Sequence, residues 1–123
     1  MDRLLSGRRV LVVEDEMLVL LMIEDMLADL GCQSVTSAAT VDKALALINA
    51  QVFDVALLDV NLNGNDSHLV AEVLSARGVP FVYSTGNTGQ SVRDGYSDRP
   101  VLKKPFKYEE LAAILTCLKL API

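Results

Sequence analysis

Short apolar, β-branched runs alternate along the chain with segments whose apolar residues recur every three or four positions. Val10–Val13 is an unbroken apolar run ended by Glu14-Asp15-Glu16. A weaker strand signal surrounds Val35, and Val52–Val60 reads V-F-D-V-A-L-L-D-V. Phe81–Thr85 follows Gly78-Val79-Pro80, and Val101-Leu102 closes the series. Between these runs, Val19, Met22, Ile23, Met26, Leu27 and Leu30 lie on one face of a helix that Gly31 stops. Val41, Ala44, Leu45 and Ile48 repeat the pattern, with Thr40 placed to cap the helix. Leu69, Val70, Val73 and Leu74 form a third such face, and Leu111, Ile114, Leu115 and Leu118 a last one. Strand centres are spaced by roughly 20 to 26 residues, the length of one strand–helix unit.

Strands that are apolar almost throughout must be covered on both faces, which predicts a parallel sheet between two helical layers. Right-handed crossovers leave few arrangements for five such strands. The expected fold is α/β and doubly wound, with strand order 2-1-3-4-5. One segment breaks the alternation. Gly86 to Pro100 has three glycines and little helical period, so the fourth helix is expected to be short, frayed or replaced by a loop.

With 123 residues, the chain has the size of one domain, spanning 1–123. Half of its residues are hydrophobic (51%), which excludes intrinsic disorder. The net charge of −5 argues against nucleic acid as a partner. The longest apolar run, Met17–Ile23, is far too short to span a bilayer, and residues 1–7 carry no signal-peptide core. Cys32 and Cys117 lack any motif spacing and read as small buried hydrophobes in a reducing compartment. These features predict a cytoplasmic, acidic protein that needs neither membrane nor nucleic acid; a monomer is expected.

Ligands of such a sheet bind beyond the carboxyl ends of its strands. Glu14 and Asp15 end the first predicted strand, and Asp59 lies at the end of the third, its neighbour in the sheet. Thr85-Gly86 ends the fourth and Lys103-Lys104-Pro105 the fifth. Taken singly, an acidic helix start, a strand threonine and a surface lysine are ordinary. An Asp inside an apolar run is costly without a purpose. Three converging carboxylates would repel one another, and a hard divalent cation such as Mg²⁺, which takes oxygen ligands, resolves the repulsion.

These residues carry a resemblance. V-L-V-V-E-D-E at 10–16, L-L-D-V-N-L at 57–62, S-T-G at 84–86 and K-K-P-F at 103–106 together resemble a response-regulator receiver domain of two-component signalling. Asp15, Asp59, Thr85 and Lys104 follow one another at steps of 44, 26 and 19 residues, which suits that family. The resemblance implies a flavodoxin-like fold and a chain that is not an enzyme on other substrates, although it promotes its own phosphorylation and dephosphorylation. Asp59 would take a phosphoryl group from a histidine kinase or histidine phosphotransfer protein. Asp15, Asp59 and the backbone carbonyl of Asn61 would ligate Mg²⁺, and Glu14 would act through a metal-bound water. Lys104 and Thr85 would hold phosphoryl oxygens, Gly86 would leave room for the donor, and the Lys104–Pro105 peptide would be cis.

The chain departs from the family pattern at Asn63, where a proline is usual, near Asp66-Ser67, where a glycine is usual, and at Val101, where an aromatic is usual. It is similar to a branch of single-domain receivers with a glycine-rich segment after the fourth strand. Without an aromatic at 101, switching is expected to run through an ordering of residues 86–99. The first helix carries a further signal. Stepping back three, four or seven residues from Glu24 and Asp25, on its expected solvent face, reaches Met17, Leu18, Leu20 and Leu21, a patch predicted to dock a kinase. For a receiver without an output domain of its own, output is expected through protein contacts or by draining phosphoryl groups from a kinase. The alternative is a flavodoxin-like carrier of FMN, drawn from Ser84-Thr85-Gly86-Asn87-Thr88-Gly89. Lone His68 reads as a solvated helix residue.

Overall fold

The computed structural model describes residues 4–62, 64–86, 101–118 and 120. Five parallel strands, β1 (Arg9–Val13), β2 (Ser34–Ala38), β3 (Val55–Asp59), β6 (Phe81–Thr85) and β7 (Val101–Lys103), form one sheet in the order β2-β1-β3-β6-β7. This is the predicted doubly wound order. A separate two-stranded antiparallel pair, β4 (Asn61–Leu62) and β5 (Asn65–Asp66), interrupts the numbering. The helices are α1 (Met17–Asp29), α2 (Val41–Ala50), α3 (His68–Ala76) and α4 (Tyr108–Cys117). Residues 87–100, where the fourth helix or loop and most of the proposed ordering segment were expected, lie outside the described residues.

Side chains alternate across each strand, so the sheet feeds two cores. On one face, Leu11, Val13, Ala56, Leu58, Phe81 and Tyr83 meet Ala44 and Ile48 of α2 and Val70, Ala71 and Leu74 of α3. On the other, Val10, Val12, Val55, Leu57, Val82 and Leu102 meet Ile23 and Leu27 of α1 and Leu111 and Leu115 of α4. Strand β3 is buried along its whole length, which is why Val55–Asp59 reads as a continuous apolar run until its last residue. Each large side chain so buried contributes about 1.5–3 kcal/mol.

Local chemistry sets the helix ends. The Thr40 hydroxyl accepts from the Lys43 amide at 3.1 Å, the cap expected from sequence. Helix α4 starts three residues before the apolar stripe, because the Glu110 carboxylate accepts from the Lys107 amide at 2.9 Å. Cys117, expected in the core, is exposed at the end of α4, while Cys32 is half-buried. Cys117 lies two and three residues beyond the buried Leu115 and the half-buried Ile114, which turns it off the core face.

Candidate functional site

Parallel register brings the ends of four strands together. Val13 pairs with Leu58, Asp59 with Ser84, and Thr85 with Lys103. The ladder continues one residue past the strands. The Glu14 amide donates to the Ala38 carbonyl at 3.0 Å, the Val60 amide to Ser84 at 3.0 Å, and the Lys104 amide to Thr85 at 2.7 Å. The side chains that leave the sheet here therefore start from fixed backbone.

Glu14 and Asp59 are buried, with 1% and 4% of their surface exposed, and Asp15 is half-buried. Each of the three places a carboxylate oxygen within 4.8 Å of the others. The Lys104 ammonium bridges two of them, donating to Glu14 Oε1 at 3.0 Å and to Asp59 Oδ2 at 3.1 Å. Glu14 Oε2 also accepts from the Glu16 amide at 3.2 Å, and Asp59 Oδ1 from the Asn61 amide at 3.1 Å. Thr85 is buried at the end of β6, whereas Gly86 is exposed. A Cβ at Gly86 would lie 3.7 Å from Lys104 Cε, over the lysine stem. The Lys104–Pro105 peptide is cis.

Burial pushes the Glu14 carboxyl up to about 7, and the Asp59 charge adds to the rise against the pull of Lys104. Burial likewise raises Asp59, opposed by the Asn61 amide and Lys104. Burial works to lower Lys104, but its two carboxylate partners outweigh it and hold the ammonium above its ordinary value. Three carboxylates and one ammonium leave two net negative charges when all are ionised, which is the charge of one divalent cation. The donors are hard oxygens, some already held by amides, so the residues fit Mg²⁺.

The structure therefore brings Glu14, Asp15, Asp59 and Lys104 together, with Thr85 at an adjoining strand end. It divides the predicted docking patch. Met17, Leu18 and Leu21 are exposed, as is Met22, but Leu20 is half-buried against the core. Leu20 lies three residues before Ile23 and seven before Leu27, the buried pair of α1, and so turns inward. Stepping from Glu24 misplaced it, because Glu24 is itself half-buried at the margin of the apolar stripe. Beside the site, a cleft of about 290 Å³ opens between α1 and residues 104–106, lined in part by Val19, Met22 and Met26. His68 is half-buried, its Nε2 lying 3.1 Å from Glu72 Oε1.

Sequence reasoning missed the β4–β5 pair and, with it, Ser67. The Asn63-Gly64 dipeptide is a turn signal that could have found it. Gly64 takes φ of +85°, which a side chain would resist.

Comparison with known proteins gives a consistent picture. The family described as response regulator receiver domain matches residues 10–116. The solution structure of SdrG from Sphingomonas melonis Fr1 is 42% identical, covers 94% of this chain and 99% of its own, and superposes with a TM-score of 0.80. The receiver domain of the sensor histidine kinase PA1611 from Pseudomonas aeruginosa PAO1, with a magnesium ion coordinated in its active-site cleft, is 31% identical. It covers 90% of this chain and 96% of its own, with a TM-score of 0.74. Comparison with curated protein sequences gives no match. The flavin alternative is not favoured by these likenesses, and it leaves the clustered carboxylates and Lys104 without a role.

Proposed function

The chain belongs to the response regulator receiver domain family, and from that membership we propose that it accepts a phosphoryl group on Asp59 from a phosphohistidine in a Mg²⁺-dependent reaction. The observation that carries this is the buried Asp59 carboxylate, held by the Asn61 amide and Lys104 beside two further carboxylates. An Asp59 oxygen attacks phosphorus, and the phosphorus–nitrogen bond to the donor imidazole breaks. Asp15, Asp59 and the Asn61 carbonyl are the residues that would hold Mg²⁺, with Glu14 acting through a water. The ion supplies neutralisation of charge on the phosphoryl oxygens. Lys104 offers a compact positive charge to one phosphoryl oxygen, and the Thr85 hydroxyl donates to another. Gly86 keeps the approach over the lysine stem open.

The donor is a histidine kinase or histidine phosphotransfer protein, docking on Met17, Leu18, Leu21 and Met22, next to the apolar cleft that reaches Lys104. Its place is the cytoplasm, in keeping with the lack of a membrane-spanning helix among the described residues. Output runs through protein contacts or through removal of phosphoryl groups from the kinase.

Incubation with Mg²⁺ and a small phosphodonor, followed by intact-mass measurement, tests the reading. One phosphoryl group should be gained. Asp59→Asn should abolish the gain and chelation should suppress it. Undiminished labelling of the Asp59→Asn protein would overturn the assignment.

A further inference from the structure

Ser67 stands at the N-cap of α3, where a serine hydroxyl ordinarily accepts from an amide of the first turn. Here it makes no such bond. The Ser67 hydroxyl instead turns back and donates to the Val60 carbonyl at 3.1 Å, and the Ser67 amide donates to the same oxygen at 3.2 Å. The neighbouring Asp66 takes over at the helix start, its Oδ1 accepting from the His68 amide at 2.8 Å. Ser67 is wholly buried, so its hydroxyl is committed to this contact.

Val60 immediately follows Asp59. Its amide is tied to Ser84 in β6, and its carbonyl is tied twice to Ser67. The next residue, Asn61, gives its amide to Asp59 Oδ1. The corner carrying both the phosphoacceptor and the Asn61 carbonyl is thus clamped from the sheet on one side and from the base of the β4–β5 hairpin on the other. We infer that Ser67 is a positioning residue for the Mg²⁺ site, holding the 59–61 backbone so that the Asn61 carbonyl and the Asp59 carboxylate face the ion together. The inference rests on the proposed phosphoacceptor reading and deepens it. No charged group changes if the hydroxyl is lost; the backbone ligand simply becomes less well placed.

The test compares wild type, Ser67→Ala and Ser67→Cys by Mg²⁺ titration calorimetry, well below each protein's melting temperature. Phosphorylation by a small phosphodonor is followed in parallel across Mg²⁺ concentrations. Ser67→Ala should weaken Mg²⁺ binding by about tenfold, the size typical of partners that orient a metal ligand. At saturating Mg²⁺ its phosphorylation rate should stay within about twofold of wild type, because the ion, once bound, restores the geometry. Ser67→Cys, which keeps the size with a weaker donor, should fall between the two, and it serves as the test if Ser67→Ala does not fold. Wild-type Mg²⁺ affinity in these variants, whatever their melting temperatures, would overturn the inference. So would equal losses in affinity and saturated rate, which mark general damage. If wild type itself neither binds Mg²⁺ nor gains a phosphoryl group, the proposed function fails instead.

Discussion

Burial makes the charge of Glu14 costly for this fold to keep. Its carboxyl rises from an ordinary 4.5 to about 7, chiefly through burial. A raised carboxyl favours the metal-free fold below pH 4.5, and that contribution is lost as the pH climbs through about 7. Burial of Asp59 acts in the same direction. The metal-free protein should therefore melt higher at pH 6 than at pH 8, which differential scanning calorimetry would read. Mg²⁺ binding should show the opposite trend, since protons compete for the same oxygens. Its affinity should rise from pH 6 to pH 8 by up to about tenfold per unit for one displaced proton. A Mg²⁺ affinity that is flat across this interval would show that Glu14 is already ionised at pH 6. In the absence of metal, Lys104 supplies the compensating charge, which explains how two buried carboxylates and a third beside them coexist in one cleft.

Helix α1 buries one face and leaves another exposed. Ile23 and Leu27 are buried against the sheet, while Leu18 keeps 77% of its surface exposed. Exposed leucine and methionine side chains near the helix start contribute little to folding, so polar replacements there should cost less than about 0.5 kcal/mol. Replacing Leu18 and Leu21 with serine should slow transfer from the kinase severalfold and leave phosphorylation by a small phosphodonor unchanged. Kinetics with both donors would check this. Equal slowing would place the damage at the active site, and no slowing with either would remove the docking surface from α1. The hairpin β4–β5 is a second element with a divided role. Its turn is closed by the Asn61 side chain, which accepts from the Gly64 amide at 2.7 Å, while the Asn61 backbone faces Asp59. The β4–β5 hairpin thus stands where the family pattern has its proline and glycine.

The site exists only when the sheet is complete. Its residues come from the segment after β1, from β3 and β6, and from the segment beyond β7, so the unfolded chain offers Mg²⁺ nothing comparable. Mg²⁺ at a hundredfold excess over its dissociation constant should add about 2.7 kcal/mol of stability. For a domain of this size that is a rise of roughly 10 °C in melting temperature. Asp15→Asn should remove most of the rise without unfolding the protein, because Asp15 is half-buried and outside the two cores. A full rise in Asp15→Asn, measured by scanning calorimetry, would place the ion elsewhere.

The five sheet strands were legible in the chain from local period and from the unbroken apolar runs that only a two-sided core can bury, and their order from the right-handed crossovers that such strands require. Asp59 was legible for a related reason: a carboxylate at the end of such a run has no structural use. The sequence by itself determined the five sheet strands and their order, the helices α1 to α4 and the carboxylates at the sheet's edge. Tertiary structure decided the rest. That Leu20 turns inward depends on where the helix axis lies over the sheet, which two flanking acidic residues do not report. That Lys104 bridges Glu14 and Asp59 depends on the register of four strands. The turning of Ser67 from its own helix to Val60 depends on a hairpin only six residues long. Periodicity records which face of an element is apolar, a local property. The partner of a polar group is set by packing between segments distant in the chain, and several partners of similar energy are open to it until the fold closes.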